Sequence, residues 1–142
     1  FDQIEFLFAP NPGEPFKPLK AIASSGEMAR VMLALKTVLA TQDSIPILVF
    51  DEVDSNLGGE TAGVVGEKMK QIGANRQVLC ITHLAPVAAA GHRHYLVSKE
   101  VVEGRTLTRV TQLDGESRVE ELTRMLGGGG AAARQHAEEL LS

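Results

Sequence analysis

Ile47-Leu48-Val49-Phe50-Asp51-Glu52 is the stretch on which the fold turns. Four consecutive apolar residues end in two carboxylates, and the apolar run reaches back to Ile45. A short run that is apolar without alternation predicts a strand covered on both faces, as in a parallel sheet flanked by helices. In open α/β sheets ligands gather beyond the carboxyl ends of the strands, where loops vary while strands hold position. Asp51 and Glu52 stand at such an end. A hard cation takes oxygen ligands, so Asp51 is a candidate Mg²⁺ ligand, and Glu52, pointing the other way, is a candidate base for an attacking water. An acidic strand end also serves simply to favour the start of the following helix, and that reading stays open here.

Downstream, Val64, Val65, Met69 and Ile72 recur as one face of a helix, with Gly73 placed as its C-terminal cap. Gln77 to Ile81 is a second apolar strand, and strand, helix and strand together predict a right-handed crossover in a parallel sheet. It ends in Thr82-His83, so His83 falls on the same edge as Asp51 and is a candidate donor to a terminal phosphate oxygen. A lone histidine after a strand has a structural reading too. Upstream, Met28, Val31, Met32, Leu35, Val38 and Leu39 predict an amphipathic helix from Ser24 to near Thr41. In Ser24-Ser25-Gly26-Glu27, serine at the N-cap and glutamate three residues on form a capping box. The bland reading is a well-capped helix. The same start offers free N–H groups and a positive dipole end beside a small residue, which suits a phosphate. Ile4, Phe6 and Phe8 suggest a strand with one buried face before the turn-forming stretch Asn11 to Pro18. Tyr95 to Val110 reads as a hairpin about Glu103-Gly104, followed by a helix through Val119, Leu122, Met125 and Leu126 and, after Gly127 to Gly130, a last helix from Ala131 to Leu141.

The 142 residues make one domain's worth of chain. With 44% hydrophobic and 23% charged residues and no apolar run of bilayer length, a membrane span is excluded and no membrane partner is expected. Cys80 is the single cysteine and lies in the apolar run Val78 to Ile81, so it reads as a buried small hydrophobe, which fits a reducing cytoplasm. The net charge of −4 argues against a wholly basic nucleic-acid-binding surface. Arg105, Arg109, Arg118 and Arg124 form either a local patch or a solvated face. His92 and His94, spaced by two, share one face of a strand and with Asp51 and Glu52 open a metal-dependent hydrolase reading, although no second His or Cys cluster completes it. The chain begins at Phe1 with neither an initiator Met nor a signal-like segment, and is expected to be a piece of a longer protein.

In this order the motifs resemble the second half of an ABC-type ATPase head. Ala23-Ser24-Ser25-Gly26-Glu27 resembles the signature, Asp51-Glu52 the Walker B pair, Val53-Asp54-Ser55-Asn56-Leu57 the D-loop and His83 the switch histidine. Gly26 to Lys36, Phe50 to Asp54 and Gln77 to Ala89 resemble the RecN family of bacterial SMC-like DNA-repair ATPases, and the resemblance covers nearly the whole chain. Ser25 stands where that family usually carries the first glycine of its signature pair, and Ser55-Asn56 differs from its commonest loop. No G-x-x-x-x-G-K-[ST] phosphate loop occurs. The resemblance implies an α/β fold, the parallel-sheet C-terminal half of an ABC/SMC-type head with a hairpin and C-terminal helices. It implies ATP and Mg²⁺ as cofactors, with Asp51 on the metal, Glu52 and His83 catalytic, and Ser24, Ser25, Gly26, Glu27 and Asp54 binding the cofactor. The signature would serve a second copy of the head in trans, as a homodimer, while the N-terminal half of the same head supplies the phosphate loop. DNA, in double-strand-break repair and recombination, is the further partner implied, at a nucleoid-associated site in the cytoplasm. The chain alone is expected to be a non-catalytic half-head.

Overall fold

The computed structural model describes residues 4–9, 12–21, 25–39 and 45–142. Two short strands, β1 (Leu7–Phe8) and β2 (Lys17–Pro18), pair antiparallel ahead of a single 3₁₀ turn. Helix α1 (Ser25–Val38) follows, then β3 (Ile47–Asp51), α2 (Gly59–Gly73) and β4 (Gln77–Ile81). A short helix α3 (Ala85–Ala90), the hairpin β5 (His94–Val102) and β6 (Arg105–Leu113), and helices α4 (Gly115–Met125) and α5 (Ala131–Leu141) complete the order. The α/β class and the parallel pair stand as expected: β3 and β4 run parallel, with Ile47 opposite Gln77 and Asp51 opposite Ile81.

One core lies on one face of this two-stranded sheet. Leu48 and Phe50 of β3 pack with Leu33 of α1, with Val65, Met69 and Ile72 of α2, and with Val53 and Val87. Alternate residues of a strand face opposite sides, so Ile47 and Val49 point the other way. The expectation of a strand buried on both faces is therefore corrected: Ile47 is 50% exposed and Val49 64%, while Leu79 and Ile81 of β4 are exposed beside them. The unalternating pattern is one that a second layer would cover, and among the described residues these side chains of that face stay exposed. The N-terminal stretch is corrected in the same sense, for Ile4 and Phe6 are exposed and the strand shrinks to Leu7–Phe8.

The helix faces also shift. In α1 the buried hydrophobic residue is Leu33, which the expected stripe omits, whereas Val38 and Met32 of that stripe are exposed. In α2, Val64 is exposed and Ala62 and Gly66 join the buried face. Gly73 is the last helical residue and Ala74, with an ordinary helical φ of −63°, is the cap. The hairpin closes as expected through Glu103 and Gly104, at φ 51° and 75°, the pair of positive values that a tight two-residue turn requires. Helix α3 was not anticipated. Pro86 in its first turn is the cue that a helix starts there, since a missing N–H costs nothing at that position. A second core joins α3 to the C-terminal helices through Ala85, Ala88, Leu122 and Ala137. Among the described residues no helix is long and apolar enough to cross a membrane.

Candidate active site at the strand ends

Because β3 and β4 are parallel and in register, Asp51-Glu52 and Thr82-His83 leave the sheet at the same carboxyl edge. Asp51 and Glu52 are exposed, and the His83 side chain is 68% exposed. The chain turns sharply after Asp51. Glu52 adopts a left-handed backbone with φ 55°, a conformation that costs a residue with a Cβ about 1–2 kcal/mol. The amide of Ser55 donates to the Glu52 carbonyl at 3.1 Å and closes the turn, and Asn56, a residue that tolerates the left-handed region, sits there at φ 61°. Backbone strain of this kind gathers where the surroundings hold a side chain in a required place.

Asp54, expected among the cofactor-binding residues, is turned into the chain's own loops. It is 1% exposed, and its Oδ2 faces the loop after β4, accepting the backbone N–H groups of His83 at 3.1 Å and Leu84 at 3.3 Å. The Thr82 hydroxyl donates to the same oxygen, and His83 Nδ1 lies 3.5 Å from it. The Leu84 amide also donates to Thr82 Oγ1 at 3.0 Å, so the two loops are closed on one another.

The start of α1 packs against the same turn. A Cβ at Gly26 would displace the Ser55 hydroxyl and approach both the Arg30 guanidinium and the Glu52 carbonyl oxygen to 3.1 Å, so the helix start packs closely on the turn here. One turn on, the Arg30 guanidinium donates to the carbonyls of Ser55 at 3.1 Å and Val53 at 3.3 Å. Arg30 is a residue that sequence reasoning passed over. Its signal was the spacing of four from Gly26, which places both on one helix face. Ser24 lies outside the described residues. Ser25 opens the helix, and Glu27 follows in its first turn as the acidic residue that complements the dipole.

The other candidates resolve into structural roles. Arg118 donates to the carbonyls of Ala88, Ala89 and Gly91 at 3.3, 2.9 and 2.6 Å, capping the end of α3. Arg124 forms a two-pronged pair with Glu121 at 2.7 and 2.8 Å, and Arg109 pairs with Glu100. Three of the four arginines weighed as a nucleic-acid patch are thus engaged within the chain. Burial, together with the Arg118 charge, holds the His94 pKa below its ordinary value of 6.5, with Glu121 opposing. Among the described residues no group of three or more His, Cys, Asp or Glu gathers to hold a metal. Burial, reinforced by Asp54 and Asp51, pushes the Cys80 thiol up to about 12, so it stays protonated in the half-buried strand. From His83 a groove of about 980 Å³ runs along β4 to Tyr95 and Arg124.

No family model matches the chain. It is 48% identical over 136 residues to the DNA repair protein RecN of Xylella fastidiosa, covering 96% of this chain and 24% of that protein. It is 49% identical over 143 residues to the protein of the same name from Treponema pallidum, covering 99% and 25% respectively. The chain belongs to the RecN family. It spans about a quarter of the length of these curated relatives. Among solved structures, the Smc head domain of Pyrococcus yayanosii with its coiled coil and joint superposes with a TM-score of 0.59 at 22% identity, over 96% of this chain and 25% of that one. A chain from a study of ATP-driven dimerisation and DNA-stimulated activation of SMC ATPases superposes at 0.56 and 21% identity, over 87% and 81%. The fold of this RecN segment is thus that of the SMC ATPase head.

Proposed function

We propose that the chain forms the strand-end side of an ATP-hydrolysing head in a RecN-type DNA-repair protein. The observation that carries this reading is the shared rim, where the Asp51-to-Ile81 register brings two carboxylates and a histidine out at one edge. Mg²⁺ is commonly held by one or two carboxylates, waters and substrate phosphates, and the exposed carboxylate of Asp51 at the strand end fits such a site. When bound, such an ion neutralises phosphate charge. The chain's own residues would do the rest. Asp51 orients that charge, Glu52 accepts the proton of the attacking water and His83 faces the terminal phosphate. Glu52 is exposed at that rim, one residue beyond the strand end.

The start of α1, with Ser24, Ser25, Gly26 and Glu27, would meet ATP held by a second copy, so that hydrolysis governs whether two heads stay closed. A study whose subject is ATP-driven dimerisation of SMC ATPases supplies one of the structural neighbours. The exposed sheet face at Ile47, Val49, Leu79 and Ile81, and the groove beside β4, would receive the rest of the head with its phosphate loop. DNA comes as a partner from the relatives named DNA repair proteins. Glu52→Gln in the intact protein is expected to bind ATP, lose at least about 10²-fold in turnover and accumulate ATP-bridged dimers. An unchanged turnover removes Glu52 from the reaction.

A second reading is favoured by the open face and the missing phosphate-loop motif: the chain alone is a non-catalytic half-head. Calorimetry with Mg·ATP decides it, since micromolar binding by the chain alone contradicts it.

A further inference from the structure

The geometry points to Asp54 as a positioning residue that holds the His83 ring with Nδ1 turned inward and Nε2 offered to the rim. This rests on the proposed role of His83, and goes beyond it by assigning the group that aims the ring. Asp54 is 1% exposed while the His83 side chain is 68% exposed, so one member of the pair is fixed in the interior and the other reaches solvent. A single oxygen, Oδ2, collects the Thr82 hydroxyl and the amides of His83 and Leu84, which fixes the backbone on both sides of the ring. His83 Nδ1 stands 3.5 Å from that oxygen. The two nitrogens of an imidazole lie on opposite sides of the ring, and the partner of one decides which carries the proton. With Nδ1 facing a carboxylate, Nε2 is the atom presented to a ligand. It donates there when the ring carries both protons.

Asparagine separates the two tasks of Asp54. Its carbonyl oxygen takes the place of Oδ2 and keeps the backbone donors, and its amide takes the place of Oδ1, which is buried with no hydrogen-bond partner among the described residues. Only the charge facing Nδ1 is lost. Selective nitrogen-15 NMR of the histidine rings in the intact, nucleotide-free protein is expected to show the neutral His83 ring protonated at Nδ1, and Asp54→Asn to move the proton toward Nε2. In the same protein Asp54→Asn is expected to lower ATP turnover about 10- to 100-fold, the scale of a misaimed group, with ATP affinity changed less than about threefold. In a His83→Gln background the same substitution should change turnover by no more than about twofold. An identical tautomer with and without the Asp54 carboxylate overturns the proposal, as does full multiplication of the two substitutions' effects. The NMR result needs no nucleotide. Should His83→Gln leave turnover intact, the histidine leaves the proposed function while the ring's aim is still decided.

Discussion

At Gly26 the missing side chain is a matter of close packing, because the first turn of α1 presses against the turn that carries Glu52. Gly26→Ala is expected to destabilise the chain by about 1–3 kcal/mol through overpacking, read as a lower urea midpoint, and Ser55→Gly in the same chain should restore part of it. At Glu52 the backbone conformation, at φ 55°, is one that glycine adopts without strain. Glu52→Gly is therefore expected to stabilise the fold by about 1 kcal/mol while abolishing turnover in the intact protein; a destabilised variant would show that the strain is not stored there. At this scale the sequence was legible where chemistry and strand pattern coincide. Asp51, Glu52 and His83 could be placed on one edge because two apolar runs end there. Asp54 could not, because whether a carboxylate faces out or in depends on a loop contributed by a distant strand. For Arg30 the spacing from Gly26 gave the helix face but not the partners, which are backbone carbonyls that sequence does not display.

Among the elements, α3 is the least self-sufficient. It has six residues, and its last carbonyls are satisfied by Arg118 from α4. A charged donor shared among three carbonyls is worth more than a neutral one, so Arg118→Ala is expected to cost about 2 kcal/mol. Lysine, a point charge on a flexible stem, should recover little of it. Amide exchange in Ala85–Ala90 checks both. An unprotected α3 in the wild type would show that the cap holds nothing. The hairpin was legible from Glu103-Gly104 because a two-residue turn announces itself chemically. The buried faces of α1 and α2 were legible only in outline. Their stripes contain apolar residues on two sides, and among the described residues one side finds the closer cover, so Leu33 is buried while Val38 and Val64 are not.

For the molecule as a whole, acid is the condition to which the second core should respond first. The folded state holds the His94 proton less tightly than the unfolded chain, whose histidine keeps its ordinary value of 6.5. Below that pH the unfolded state takes up more protons, so stability falls as pH falls through 6.5 toward the lowered folded value. Glu121 acts in the same direction further down. Its pairing with Arg124 lowers its pKa from 4.5, so the stability it contributes above 4.5 is lost as pH drops through its folded value. Thermal melts between pH 7.5 and 5.5 check this: the midpoint should decline below about 6.5 in the wild type and decline less in His94→Gln, and equal slopes would sink the assignment. The α/β class was legible because period and order survive in any piece of a fold. Burial was not, since the strand pattern calls for cover on two faces and the described residues leave Ile47, Val49, Leu79 and Ile81 exposed. The bare side of the β3–β4 pair makes this segment, when alone, a flat adhesive tile. Ile47, Val49 and Ile81 offer a smooth branched surface to any similar one, so sedimentation of the separate segment should show its weight-average mass climbing with concentration. Threonine at Val49 and Ile81 keeps the strands extended while wetting that surface, and should return the segment to one mass at every dilution.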